Sequence, residues 1–381
     1  MIEPANRLNK VEEYYFSKKL REVNLLKSQG RPIINLGIGS PDLEPPIKAN
    51  LALEQSLNLK DAHKYQSYQG LPELREAIAE FYKQQFNVYL SAHTEVLPLM
   101  GSKEGIMHIS MAFLNKGDKI LAPNPGYPTY SSVAGLLEAK TVYYDLNEEN
   151  NWLPDLIKLE KSNLEKVKIM WINYPHMPTG ANAPHKFYDD IIAFGRRHNI
   201  LIVNDNPYSF ILNDAPKSIL RYNNAKEVCL ELNSLSKTFN MAGWRVGMLC
   251  GNYDYVQAVL QVKSNMDSGM FFGIQKGAIE ALRSTEMWFA SLNSVYEKRR
   301  QLAWELVTKL NCTYDEDASG LFVWAKLPPH IKSEEFSDLL LKEHSIFAAP
   351  GKVFGSKGDD YIRFSLCAEE AVFQEALARI N

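Results

Sequence analysis

Between residues 95 and 250 the chain alternates short apolar runs with longer amphipathic or mixed segments. The runs are EVLPLM (95–100), KILAPN (119–124), TVYYDL (141–146), KIMWIN (168–173), ILIVND (200–205), VCLELN (228–233) and VGMLCG (246–251). Such alternation predicts βα units around a buried, mainly parallel sheet. Past about residue 280 the rhythm changes. SVYEKRRQLAWELVTKL (294–310) has apolar residues at helical spacing and is followed by a strand (GLFVWAKLP), a helix (SEEFSDLLLKEH), a strand (YIRFSL) and a closing helix (EEAVFQEALARI). This second part reads as a smaller α+β domain. The expected organisation is an α/β large domain over 47–280, a small domain over 281–381, and an N-terminal segment 1–46 that belongs with the small domain.

In an open parallel sheet, ligands bind at the carboxyl ends of the strands, where loops and helix N-termini gather. Four of the predicted strands end in chemically useful residues: GSKEG after EVLPLM, YPHMPTG after KIMWIN, NPY after ILIVND, and SLSK after VCLELN. Gly, Ser, Asp, Tyr and Lys at one sheet edge suit a polar, phosphate-bearing cofactor.

Composition narrows the class. The chain has 381 residues, of which 45% are hydrophobic and 23% charged, with a net charge of −3, as in an ordinary globular protein. No basic stripe invites nucleic acid and no apolar run is long enough to span a bilayer. The four cysteines lie far apart, without the spacing of a zinc site or a disulfide framework, so no metal is expected. A reducing cytoplasm suits that pattern, and no secretory segment opens the sequence.

The residues themselves suggest a chemistry. GSKEG at 101–105 opens a helix with small residues, so its N–H groups and the hydroxyl of Ser102 can meet a phosphate, although a plain helix cap would look the same. Asp205 ends a strongly apolar strand, where a carboxylate needs a cation, a donor or a structural salt bridge. Tyr208, three residues on, can face the same side. In SLSKTFNMAGWRVG (234–247), Lys237 sits near Arg245 among small and apolar neighbours. A lysine desolvated near another cation loses its proton more readily, as an amine must to form a Schiff base. Arg245 offers a fork for a phosphate, with Ser234 and Ser236 as further donors.

With DNPY, NYPHMPTG, PNPGYPTY and the late YIRFSL, that stretch resembles the fold-type I pyridoxal-phosphate enzymes, specifically the class I/II aminotransferases. The likeness runs in the family's order from INLGIGSPD (34–42) to Arg363. It implies a seven-stranded large domain and a ping-pong transfer of an amino group from an amino acid to a 2-oxo acid. Lys237 would be the residue that joins the cofactor and later moves the substrate's α-proton. Asp205 would pair with the pyridine nitrogen, Tyr208 would donate to the ring's 3-oxygen, and Tyr127 would stack on the ring. Gly101, Ser102, Lys103 through its backbone, Ser234, Ser236 and Arg245 would hold the phosphate. Arg363 would clamp the substrate α-carboxylate, with Ile38 and Gly39 lining the same spot. Tyr65 would cross to the phosphate of a second subunit, which implies a homodimer.

One position departs from the family. Met177 stands where an asparagine usually donates to the 3-oxygen, and a thioether cannot donate, which leaves Tyr208 with help from Asn173. His176 beside it reads as a partly exposed loop histidine. No second arginine for a distal carboxylate is identifiable in VKSNMDSGMFFG (262–273), which should reach the site and offers Asn265, Met266, Asp267 and Phe271. Tyr14, Tyr15 and Phe16 can cover the cavity mouth. The substrate reading therefore leans to a neutral, apolar or aromatic donor, with 2-oxoglutarate as acceptor. The alternatives are a pyridoxal-phosphate C–S β-lyase and a cofactor-sensing regulator, the second lacking a helix-turn-helix segment. A nicotinamide dehydrogenase fails because GIGSPD lacks the third glycine of the dinucleotide fingerprint.

Overall fold

A computed structural model describes residues 2–11, 13 and 15–380. All seven apolar runs form strands, and they join one seven-stranded sheet. In space their order is Val96–Leu99, Gly247–Gly251, Cys229–Ser234, Leu201–Asp205, Val167–Ile172, Lys119–Asn124 and Lys140–Asp145. The last five pair in parallel, whereas Gly247–Gly251 runs antiparallel to both its neighbours. The central strands are buried along their whole length because helices cover both faces, which is why they read as continuous apolar runs.

The C-terminal part carries a second, three-stranded antiparallel sheet with Tyr361–Ser365 between Ala349–Pro350 and Phe322–Lys326. The Glu286–Lys309, Ser333–Glu343 and Glu370–Arg379 helices accompany it, close to their predicted places. A short strand, Ile34–Asn35, pairs in parallel with Ile346–Phe347 and so brings the N-terminal chain to this second sheet. Among the described residues no disulfide forms, and no helix is long and apolar enough to cross a membrane.

The topology brings the predicted chemistry to one edge. Asp205 and Ser234 are the last residues of adjacent parallel strands, and Asn173 follows the last residue of the next one. Gly247 opens the antiparallel strand opposite Ser234 on one side and Leu99 on the other, so Arg245 and Ser102 arrive at the same edge.

Candidate functional site

A cavity of about 720 Å³ lies at that edge. Lys237, Asp205, Tyr208, Tyr127 and Asn173 line it, together with Ser102, Lys103, Ser234, Ser236 and Arg245. Ile38, Gly39 and Arg363 close it from the side of the second sheet. Gly101 lies just behind Arg245. Tyr65 is 90% exposed and contributes nothing to the cavity of its own chain.

One end of the cavity is an anion cradle. Gly101 caps the Ser102–Phe113 helix at φ +89° and offers no side-chain acceptor to the first-turn N–H groups. A Cβ at Gly101 would fall 2.0 Å from Nη2 of Arg245, and one at Gly247 would fall 2.6 Å from the amide nitrogen of Ser102. Only glycines allow the arginine, the helix start and the strand to meet this closely. Arg245 donates to Ser236 Oγ at 3.4 Å, and Ser234 Oγ donates to Ser236 Oγ at 2.9 Å. Burial and the neighbouring Arg245 both weaken the hold of Lys103 on its proton. Positive groups, hydroxyls and a helix N-terminus converge on a space that a phosphate fits.

The floor holds a carboxylate that meets no cation among the described residues. Asp205 is buried, its Oδ2 accepts from the Tyr130 hydroxyl at 2.9 Å, and its Oδ1 has no hydrogen-bond partner among the described residues. Burial pushes its carboxyl up to about 7, against the Tyr130 hydrogen bond that pulls it down. An orphaned acceptor of this kind is matched by a protonated ring nitrogen. Tyr130 itself stacks on Trp171 with ring centroids 4.9 Å apart and planes 6° apart. Nothing but its presence in PNPGYPTY marked it in the sequence.

Lys237 donates to the carbonyl of Gly39. Burial lowers its proton affinity, and Arg363 and Arg245 add to the effect while Cys367 opposes it. Desolvation thus outweighs the neighbouring cations that the sequence suggested.

Arg363 sits in an aromatic box that local patterns did not reveal. Its guanidinium carbon lies 3.8 Å from the Phe322 ring centroid, 4.6 Å from that of Phe354 and 5.4 Å from that of Phe16. Nη2 donates to Gly37 O at 2.9 Å, and Nη1 to the sulfur of Met177 at 3.4 Å. Phe16, Ser17 and Leu20 of the Tyr15–Ser28 helix line the cavity. Tyr15 lies in an adjoining surface depression, and Tyr14 falls outside the described residues.

Several expectations need correction. Asn173 commits its Oδ1 and one of its two Nδ2 hydrogens to the backbone: Nδ2 donates to Asp205 O, and Oδ1 accepts from Met177 N–H at 2.7 Å. It therefore braces the cavity wall. His176 is not a partly exposed loop residue. It is buried, bonded to Thr179 Oγ1 at 2.9 Å, and its proton affinity drops to about 3 because burial disfavours the charged ring. The segment 262–273 does not line this chain's cavity. Asp267 instead binds buried Lys263 at 2.7 Å, close to Glu104 and His108. The ligand-type atoms of Glu104, His108 and Asp267 lie within 4.8 Å of one another, a group that no sequence spacing announced, but the Lys263 ammonium already occupies Asp267.

Comparisons with known proteins agree with this geometry. The family described as aminotransferase class I and II matches residues 31–380. An LL-diaminopimelate aminotransferase of Maridesulfovibrio salexigens is 39% identical over 99% of this chain and 98% of its own length. One of Aquifex aeolicus is 39% identical over 100% of this chain and 99% of its own. Among solved structures, apo-BacF of Bacillus subtilis superposes with a TM-score of 0.96 at 37% identity, covering 100% of this chain and 98% of that one. An aspartate aminotransferase of Thermus thermophilus, 23% identical with a TM-score of 0.92, shares the fold over 100% of this chain and 99% of its own. The lyase and regulator readings give way to these matches: the chain belongs to the class I and II aminotransferase family and is a pyridoxal-phosphate-dependent aminotransferase.

Proposed function

We propose that the enzyme takes the amino group of an amino acid with a second polar end, LL-diaminopimelate in the first place, and passes it to a 2-oxo acid such as 2-oxoglutarate. What carries this reading is full-length likeness, at 36–39% identity, to relatives named LL-diaminopimelate aminotransferase. Lys103, which lines the cavity, supports it as a cationic partner for a distal carboxylate. The lean to a neutral or aromatic donor finds no counterpart in these curated relatives. It keeps one point in its favour, the aromatic wall of Phe16, Tyr127, Phe322 and Phe354.

Pyridoxal phosphate, when bound, supplies an aldehyde that takes up amines and a ring that accepts the electron pair released at the substrate's α-carbon. The residues divide the remaining work. Ser102, Ser234, Ser236 and Arg245, with the backbone at Gly101 and Lys103, would hold the phosphate. Asp205, itself held by Tyr130, would keep a positive charge on the ring nitrogen. Tyr208 would donate to the 3-oxygen, and Tyr127 would pack on the ring face. Arg363 takes the α-carboxylate in its fork, so the α-hydrogen is presented to Lys237. Lys237, neutral more readily than an exposed lysine, then accepts that proton and hands it on. Tyr65 reaches a second copy of the chain in a homodimer, a reading that its exposure and its place beside Phe271 permit. Sedimentation of the holoenzyme measures that assembly.

The deciding experiment compares LL-diaminopimelate with phenylalanine and methionine as donors to 2-oxoglutarate. The highest kcat/KM is expected for LL-diaminopimelate. A neutral donor that exceeds it would sink the substrate assignment.

A further inference from the structure

The chain between the Ile34–Asn35 strand and the Ile47–Ser56 helix lays two backbone carbonyls on two of the basic residues of the site. Gly37 O accepts from Arg363 Nη2 at 2.9 Å, and Gly39 O accepts from Lys237 Nζ. Neither glycine has room to spare. A Cβ at Gly37 would lie 2.5 Å from the Phe347 ring, and one at Gly39 would lie 2.3 Å from the Phe322 ring. The carbonyls can therefore keep their places only if the loop as a whole keeps its place.

Two anchors hold the loop. At its start, Leu36 donates to Phe347 O at 2.8 Å and accepts from Ser365 N–H at 2.7 Å. At its far side, the Asp42 carboxylate takes both terminal nitrogens of Arg299, at 2.6 and 2.8 Å. Arg299 is 3% exposed, belongs to the Glu286–Lys309 helix, and also donates to Leu366 O at 3.1 Å. Leu366 directly follows the strand that carries Arg363. Neither Asp42 nor Arg299 lines the cavity. A two-toothed arginine–carboxylate contact fixes orientation as well as distance.

We propose that Asp42 and Arg299 are positioning residues of the reaction. Their pair ties the glycine loop to the end of the Arg363 strand, so the Gly37 carbonyl holds Arg363 ready for an incoming carboxylate, while the Gly39 carbonyl seats Lys237 in the cofactor-free chain. This inference rests on the reading of Arg363 as the carboxylate clamp. Freeing the loop weakens carboxylate binding before it touches the chemical step, so KM rises while kcat stays nearly constant.

The test uses holoenzyme in four forms: native, Asp42→Asn, Arg299→Lys and Arg363→Lys. Propionate, a non-reacting carboxylate, is titrated against the visible absorbance of the bound cofactor, and KM, kcat and Tm are measured alongside. Asp42→Asn is expected to raise the propionate Kd and the KM by about tenfold with kcat within about twofold, as small misplacements in a binding site do. Arg299→Lys keeps the charge, loses the fork and falls between. If these variants lower only Tm and leave Kd and KM at native values, the pair is merely structural and the inference is overturned. Should Asp42→Asn fail to fold, Asp42→Glu keeps the charge but moves the loop, and an unchanged propionate Kd there overturns it equally. A native propionate Kd in Arg363→Lys overturns the clamp reading itself. Weakening in Arg363→Lys alone overturns only the role of the loop.

Discussion

The sulfur of Met177 accepts a hydrogen bond from Nη1 of Arg363 at 3.4 Å, so the side chain at this departure from the family pattern faces the carboxylate end of the cavity. Asn173 has already given Oδ1 and one Nδ2 hydrogen to the backbone, so on the proposed reading Tyr208 is the principal side-chain donor for the 3-oxygen. Met177→Asn is expected to lower the pH midpoint of the visible absorbance of the cofactor at Lys237 by roughly one pH unit, the worth of one hydrogen bond to a charged oxygen. A spectroscopic titration of both proteins measures it, and an unmoved midpoint rejects the single-donor account.

Asp205 carries a pH signature in the cofactor-free protein. Burial raises its carboxyl from 3.8 to about 7, so the folded state favours the protonated form. That preference stabilises the fold fully below the unfolded value and is lost as pH rises through about 7. Cofactor-free Asp205→Asn should therefore gain stability relative to the native chain between pH 4 and pH 8, by the order of a few kcal/mol. Denaturant melts at the two pH values check the difference. The same variant should bind the cofactor more weakly, because a protonated ring nitrogen loses its counter-charge.

His176 has the opposite slope. Burial lowers its proton affinity from 6.5 to about 3, so the folded state favours the neutral ring. Stability from this group is present above pH 6.5 and falls as the pH drops toward 3. His176→Gln should flatten the acid limb of the stability profile between pH 6.5 and pH 4. Parallel acid limbs in the two proteins would show that some other group governs it.

Gly101→Ala tests the anion cradle. The added methyl would meet Arg245 Nη2 at 2.0 Å on a backbone at φ +89° and ψ 153°, a conformation almost confined to glycine that costs an alanine about 1–3 kcal/mol before any clash. Cofactor affinity is expected to fall at least tenfold, roughly the loss of one charged hydrogen-bond partner, because the methyl displaces Arg245 from the phosphate site, while the backbone strain itself lowers Tm. Equilibrium binding of pyridoxal phosphate, read by its absorbance, gives the ratio. Native affinity would mean that Arg245 can swing clear of the phosphate site at no cost.

Much of the cavity was legible because its residues travel in short motifs at strand ends. Asp205, Ser234, Ser102 and Asn173 each terminate or follow an apolar run, and such a run carries its own direction and length. The partners of those residues were not legible. Tyr130 meets Asp205 across 75 positions, and Asp42 meets Arg299 across 257. The box around Arg363 draws Phe16, Phe322 and Phe354 from three separate segments. Burial of His176 was missed for the same reason. Its loop lies against Ala318 and Ser319, which meet Gly180 from the second half of the chain.

The linear order of residues determined the seven strands, the two-part rhythm and the identity of the groups at the sheet edge, because apolar periodicity and turn chemistry are properties of near neighbours in the chain. Folding alone decided which carboxylate oxygen stays unpaired, how far Lys237 is desolvated, and which carbonyls hold Lys237 and Arg363. Those quantities depend on dielectric surroundings and on contacts within a few ångströms, and packing supplies both from segments hundreds of residues apart.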